Sequence, residues 1–190
     1  MTRPPADGQG WVKTEEAKLR LRRIPFLANL RNKVLEPLQD QQKRGVTYDH
    51  ILFLEDVLFH ANDVQAFIST NQGNYVAACA VDVSKTPILY DTFALRDSDG
   101  HAPLMLRWPW FRSKTSREAA LRGVPIPVQS CWNGMVAIRT EPFYPKNGQH
   151  FRGLPDSLAS YHLEESKCCL IHADNAAMAL PAPKNGGGVR

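Results

Sequence analysis

The chain has 190 residues, 43% of them apolar and 22% charged, with a formal net charge of +4. That length and balance suit a folded domain and exclude a wholly disordered chain. No run approaches the roughly 18 apolar residues of a membrane-spanning helix, and the basic residues do not form the aromatic-interleaved stripe of a nucleic-acid binder.

Residues 1–13 read as a disordered leader, polar with Pro4 and Pro5 and lacking a signal-peptide pattern. A helix is expected from Thr14, whose hydroxyl can cap it, with Glu15 and Glu16 at the positive end of its dipole. Pro25 is expected to end it. Leu27, Leu30, Val34 and Leu38 recur at helical spacing and predict a second helix over 26–38. Ile51-Leu52-Phe53-Leu54 then stops abruptly at Glu55-Asp56, which predicts a buried strand with two acids at its carboxyl end. The alternative for the same residues is an amphipathic helix through Phe59. Asn62 caps a predicted helix to Ser69, residues 71–74 form a turn, and Tyr75 to Val83 predicts a second strand.

Residues 84–115 carry Tyr90, Phe93, Trp108, Trp110 and Phe111 among Pro87, Pro103 and Pro109. Long ordered loops are usually functional, so this stretch is not read as a plain connector. Ser130 to Gly134 predicts a turn into a buried strand over Met135 to Ile138. Pro155 to Leu163 predicts a short helix, Cys168 to Ile171 a strand, and 181–190 a flexible tail. Strands alternating with helices predict an α/β fold with a mostly parallel sheet, in one domain over 14–180. Cys79, Cys131, Cys168 and Cys169 form no CxxC pair, which argues against zinc. Free buried thiols are the expectation, and one disulfide in an oxidising lumen is the alternative.

Four constellations can carry chemistry. Glu55 and Asp56 at a strand end can hold a hard divalent cation that bridges a diphosphate. Arg96 can fork onto a phosphate or carboxylate, and Asp97 can accept from sugar hydroxyls; a salt bridge within the loop is the plainer reading. Trp132 can offer a flat apolar face and Asn133 an amide, with Gly134 allowing a sharp backbone. A core tryptophan explains the same residues. Glu164 and Glu165 can serve as a general base, and His172 as a third metal ligand.

The strings ILFLEDVLF, YDTFALRDSDGH, SCWNGMVAI, FRGLPDSLA and HLEESKCCLIHADN, with RIPFLANLRNKVLEPL upstream, together resemble the fungal α-1,3-mannosyltransferase family, glycosyltransferase family 69. The resemblance runs from about Arg23 to Asn175. It implies a GT-A-like (Rossmann-like) fold, a mostly parallel sheet flanked by helices and here lacking its first βα unit. It also implies a GDP-mannose donor, a glycan acceptor, Mn²⁺ or Mg²⁺ dependence, and a Golgi membrane location supplied by segments outside this chain. By the same resemblance Asp56, with Glu55 and His172, takes the metal role. Glu164 and Asp97 become the catalytic carboxylates, and Arg96, Asp91, Trp132 and Asn133 contact substrate. The family more often reads Asn-Asp where this chain has Glu55-Asp56, and Glu where it has Lys167. These departures motivate a second expectation: a truncated, non-catalytic relative that binds glycan or a partner enzyme.

Overall fold

The computed structural model describes residues 10–13, 19–90, 92–144, 148–159 and 167–175. Its described residues fall into two compact units, one drawn from 1–51 and 140–171, the other from 52–139 and 172 onward.

In the first unit, β1 (Trp11–Lys13) pairs antiparallel with β2 (Leu19–Leu21), Trp11 opposite Leu21. The end of the expected leader is thus a strand, and Leu19–Leu21 is extended where a helix is expected. Pairing with a partner strand overrides a helix propensity worth only tenths of a kcal/mol per residue, roughly. Helix α1 (Arg23–Val34) contains Pro25 in its first turn. There a missing N–H costs nothing, because the first four N–H groups of a helix have no intrahelical partner. Pro25 therefore starts a helix instead of ending one, and Pro37 does the same for α2 (Glu36–Lys43).

The strings around α1 and around FRGLPD, far apart in sequence, form one packing unit. Buried Arg22 pairs with Asp156 and donates to the Leu154 carbonyl at 3.0 Å. Asn32 donates to the Phe151 carbonyl and accepts from the Phe151 N–H, both at 2.8 Å. Phe151 stacks on Phe143 with centroids 5.9 Å apart.

The second unit starts at Leu52 within β3 (His50–Leu54) and holds α3 (Ala61–Ile68) and β4 (Ala77–Cys79). A small hairpin of β5 (Val83–Lys85) and β6 (Ile88–Leu89) follows, then β7 (Arg96–Asp97) and α4 (Lys114–Leu121). Strands β8 (Val128–Ser130) and β9 (Met135–Arg139) complete it. The main sheet has order β3-β9-β4. Residues Val136, Ala137 and Ile138 of β9 are fully buried, as suits an apolar run in a central strand.

The mostly parallel sheet flanked by helices is not what forms. Pairing of β4 with β9 is antiparallel, as is that of β5 with β6 and of β7 with β8. Beside β3, the Glu55 N–H bonds the Gly134 carbonyl and the Thr140 N–H bonds the Asp49 carbonyl, which again is antiparallel. The strand–helix–strand unit β3-α3-β4 does leave its two strands running the same way, since each opposes β9. A third strand has been inserted between them. Periodicity reports that two strands are joined by a crossover helix, and it is silent on what lies in the gap.

Two helices complete the described chain, α5 (Asp156–Ala159) and α6 (Lys167–Ala173). The expected strand at Cys168 to Ile171 is therefore helical. A run of four apolar residues fits a strand or one helical turn equally well. Among the described residues no helix is long and apolar enough to cross a membrane.

Candidate functional site

A strand forms over Ile51 to Leu54 as expected, but it is half-buried and its end at Leu54 is exposed, not buried; the chain turns tightly after it, with the Val57 N–H on the Glu55 carbonyl at 2.9 Å. Asp56 lies exposed in that turn. The turn is held from the other side by Cys131 to Gly134. The Glu55 N–H donates to the Gly134 carbonyl at 2.9 Å, and the Trp132 indole N–H donates to Glu55 Oε1 at 2.8 Å. Trp132 also packs on Phe53, ring centroids 5.2 Å apart. Gly134 has φ +24°, and a Cβ there would sit 2.3 Å from Val57 Cγ1. Only glycine lets these two segments approach so closely.

Trp132 is 3% exposed. Its face is spent on Phe53, so the indole braces the acidic turn and is not a platform for a sugar ring. Asn133 is buried as well and lines a cavity of about 910 Å³, with His172, Cys131 and Ala78. His172 is 4% exposed and its Nε2–H donates to the Cys131 carbonyl at 2.8 Å. Through Nε2, His172 holds the Cys131 backbone. Burial pushes its pKa down, and the bond to the Cys131 carbonyl offsets only part of that. The imidazole is therefore neutral at pH 7.

Asp97 is wholly buried. Its Oδ1 accepts the N–H groups of Asp99 and His101 at 3.0 and 2.9 Å, and its Oδ2 accepts the Ser113 N–H at 2.8 Å. Ser113 in turn caps α4. Burial raises the pKa of this carboxyl, but the three backbone donors and nearby His101 outweigh it and hold the value below the ordinary range. Asp97 organises a loop; its oxygens are not presented to a substrate. Arg96 spends one guanidinium nitrogen on the Phe93 and Leu95 carbonyls at 3.0 and 2.8 Å. It pairs across the β7–β8 ladder with Ser130, next to Cys131.

The stretch from Ser130 to Gly134 is thus a hub. It touches the acidic turn through Trp132 and Gly134, the HADN string through the Cys131 carbonyl, and the LRD string through Ser130. Three separated motifs meet on one segment. Cys131 also carries a disulfide to Cys79, 52 residues away, set among Leu89, Leu95 and Phe111. The side chains of Cys168 and Cys169 lie outside the described residues; of the four cysteines expected to be free thiols, Cys79 and Cys131 are bonded, which is the single-disulfide alternative. No local signal marks that pair in the sequence, nor the grip of Trp132 on Glu55, since both partners are distant in the chain. Glu164 and Asp91 lie outside the described residues, and so does the side chain of Lys167.

Among the described residues no three His, Cys, Asp or Glu side chains gather as a metal set. That does not fit a protein-only cage. It does fit the other mode open to Mg²⁺ and similar hard cations, in which one or two exposed carboxylates share the ion with water and substrate phosphates. Glu55 and Asp56 offer such oxygens.

The comparisons with known proteins converge on one family. The model of the family described as Cryptococcal mannosyltransferase 1 matches residues 2–174. The chain is similar to the alpha-1,3-mannosyltransferase CMT1 of Cryptococcus neoformans var. neoformans serotype D, 27% identical over 196 residues, which cover 90% of this chain and 42% of that protein. It therefore spans less than half the length of the curated relative it matches. No solved structure matches it. The motifs that meet at the Ser130–Gly134 hub all fall inside the matched region, and the chain belongs to the cryptococcal mannosyltransferase 1 family.

Proposed function

We propose that this chain forms part of a glycosyltransferase that moves mannose from GDP-mannose onto a glycan in α-1,3 linkage, with Mn²⁺ or Mg²⁺ as cofactor. The observation that carries the reading is the exposed Asp56 turn, rigidly braced by Trp132 and Gly134, within a chain of this family. Asp56 is assigned to the diphosphate side of the donor. Glu55 is held by the Trp132 indole and keeps the turn in place while Asp56 faces solvent. A bound divalent cation would supply positive charge against the departing nucleoside diphosphate. Glu164 and Asp91 keep their assignments as a site carboxylate and a substrate contact. For Asp97, Trp132, Asn133 and His172 the proposal is a positioning role, since all four are buried. The Cys79–Cys131 disulfide supports an oxidising, secretory-pathway compartment, and the Golgi is the compartment we propose.

The test is mannose transfer from GDP-mannose to an α-mannoside acceptor, with and without Mn²⁺. Metal-dependent product with an α-1,3 bond is expected, and Asp56→Ala should lower the rate at least ~100-fold, the scale for losing an electrostatic group at a reacting centre. Glycan binding with no turnover by the wild type would instead favour the non-catalytic reading.

A further inference from the structure

The cavity of about 910 Å³ is not used by the acidic turn, and its lining falls wholly within the second unit. Every residue from Tyr75 to Val81 contributes to it. Side chains alternate between the two faces of a strand. A wall that takes all of them in succession is therefore the edge of β4, not one of its faces. The other edge of β4 is filled by β9, where the Arg139 N–H donates to the Val76 carbonyl and the Ala80 N–H to the Met135 carbonyl, both at 2.9 Å. Bonded and non-bonded pairs alternate along an antiparallel ladder. Ala77 and Cys79, opposite Ile138 and Val136, are the non-bonded positions. Their N–H and C=O groups point away from β9, and among the described residues no hydrogen bond reaches them.

A second run, Arg122 to Cys131, lines the same cavity residue by residue. The disulfide ties the two runs together at one end, with the Cα atoms of Cys79 and Cys131 6.1 Å apart. A strand laid between two others needs roughly 9.6 Å, twice the interstrand spacing. The slot is therefore closed at Cys79, and Ala77 is the ladder position open to a partner. Leu89, Leu95 and Phe111 make the lining apolar. Pro125 and Pro127 carry no N–H, so the second run offers apolar contact and not a rival ladder. Arg122 is exposed on that lining, its Nε on the Glu118 carbonyl at 3.4 Å. Among the described residues no carboxylate pairs with it; Glu118 pairs with Lys114 instead.

An open strand edge beside an apolar wall takes an extended peptide as a further strand, with main-chain bonds giving affinity and side-chain pockets specificity. We propose that β4 accepts an extended apolar peptide segment of a partner protein, paired to the main chain of Ala77 and carrying a carboxylate that meets Arg122. The apolar lining selects against a charged strand, and the guanidinium selects an acid at one end of it. This docking is independent of the transferase reading.

The experiment titrates the full chain into a fluorescein-labelled peptide, Val-Ala-Val-Leu-Ala-Glu, read by anisotropy, and follows exchange of the Ala77 amide by NMR with the unlabelled peptide. Saturable binding is expected, with exchange at Ala77 slowed roughly ten-fold or more at saturation. The same peptide N-methylated at alternate residues, which cannot form the ladder, should bind roughly ten-fold weaker. Arg122→Gln should weaken binding by about three- to five-fold, the scale of one exposed ion pair, with unchanged thermal unfolding. Absence of saturable binding to the wild type overturns the proposal. Equal binding of the N-methylated peptide, exchange at Ala77 that the peptide leaves unchanged, or equal affinity in Arg122→Gln overturns it too. An Ala77 amide already protected in the peptide-free chain would assign the slot to this chain itself, or to a second copy if protection grows with concentration, and is likewise contrary to the proposal.

Discussion

At the scale of single residues, Gly134 and Val57 show how closely the site is packed. A methyl group at Gly134 meets Val57 Cγ1 at 2.3 Å and must also adopt a positive φ. Gly134→Ala should therefore destabilise the second unit by about 1–3 kcal/mol, read as a shift in denaturation midpoint. Val57→Ala removes the clashing carbon and should restore the steric part of that loss; no recovery in the double variant would contradict the packing described. Among the described residues, two buried titratable groups link stability to acid pH. His172 has a pKa held below its ordinary 6.5, so its contribution is intact above that pH and falls away as pH drops toward the lowered value. Asp97, also held low, adds a second loss below its ordinary 3.8. Stability measured against pH should decline in both windows. His172→Gln, which keeps a neutral donor for the Cys131 carbonyl, should flatten the upper one.

At the scale of elements, the disulfide is a covalent constraint on the second unit. It closes a span of 52 residues between β4 and the hub segment, which in the chain-entropy picture is worth about 4 kcal/mol. Treatment with a dithiol reductant, or Cys79→Ala/Cys131→Ala, should lower the thermal midpoint markedly. The elements themselves were unevenly legible in the sequence. The strand over Ile51 to Leu54 and the buried strand from Met135 could be read because each is a continuous apolar run bounded by polar or turn residues. The α1 boundary was misplaced because Pro25 has opposite meanings at the first turn and in the interior of a helix. The antiparallel insertion of β9 was illegible, because strand order depends on pairings between residues more than 50 positions apart. At the site, the motifs could be found by their residue types. The burial of Asp97, Trp132 and His172 could not, since a catalytic carboxylate and a loop-organising one are the same side chain in a different environment.

At the scale of the whole molecule, family membership and local geometry divide the work. The family match covers most of the chain, while the chain covers 42% of the curated relative. Within the second unit the Ser130–Gly134 hub links the acidic turn, the β7 ladder and His172. The first unit has its own packing around Arg22, Asn32 and Phe151. The central claim is that Asp56, presented by this braced turn, takes part in gripping a sugar-bearing diphosphate. Calorimetric titration of the purified chain with GDP-mannose tests it most directly, run with Mn²⁺ and with chelator, for the wild type and Asp56→Ala. Saturable binding that needs Mn²⁺ and is lost in Asp56→Ala is the predicted result; binding of equal affinity in both proteins would contradict it.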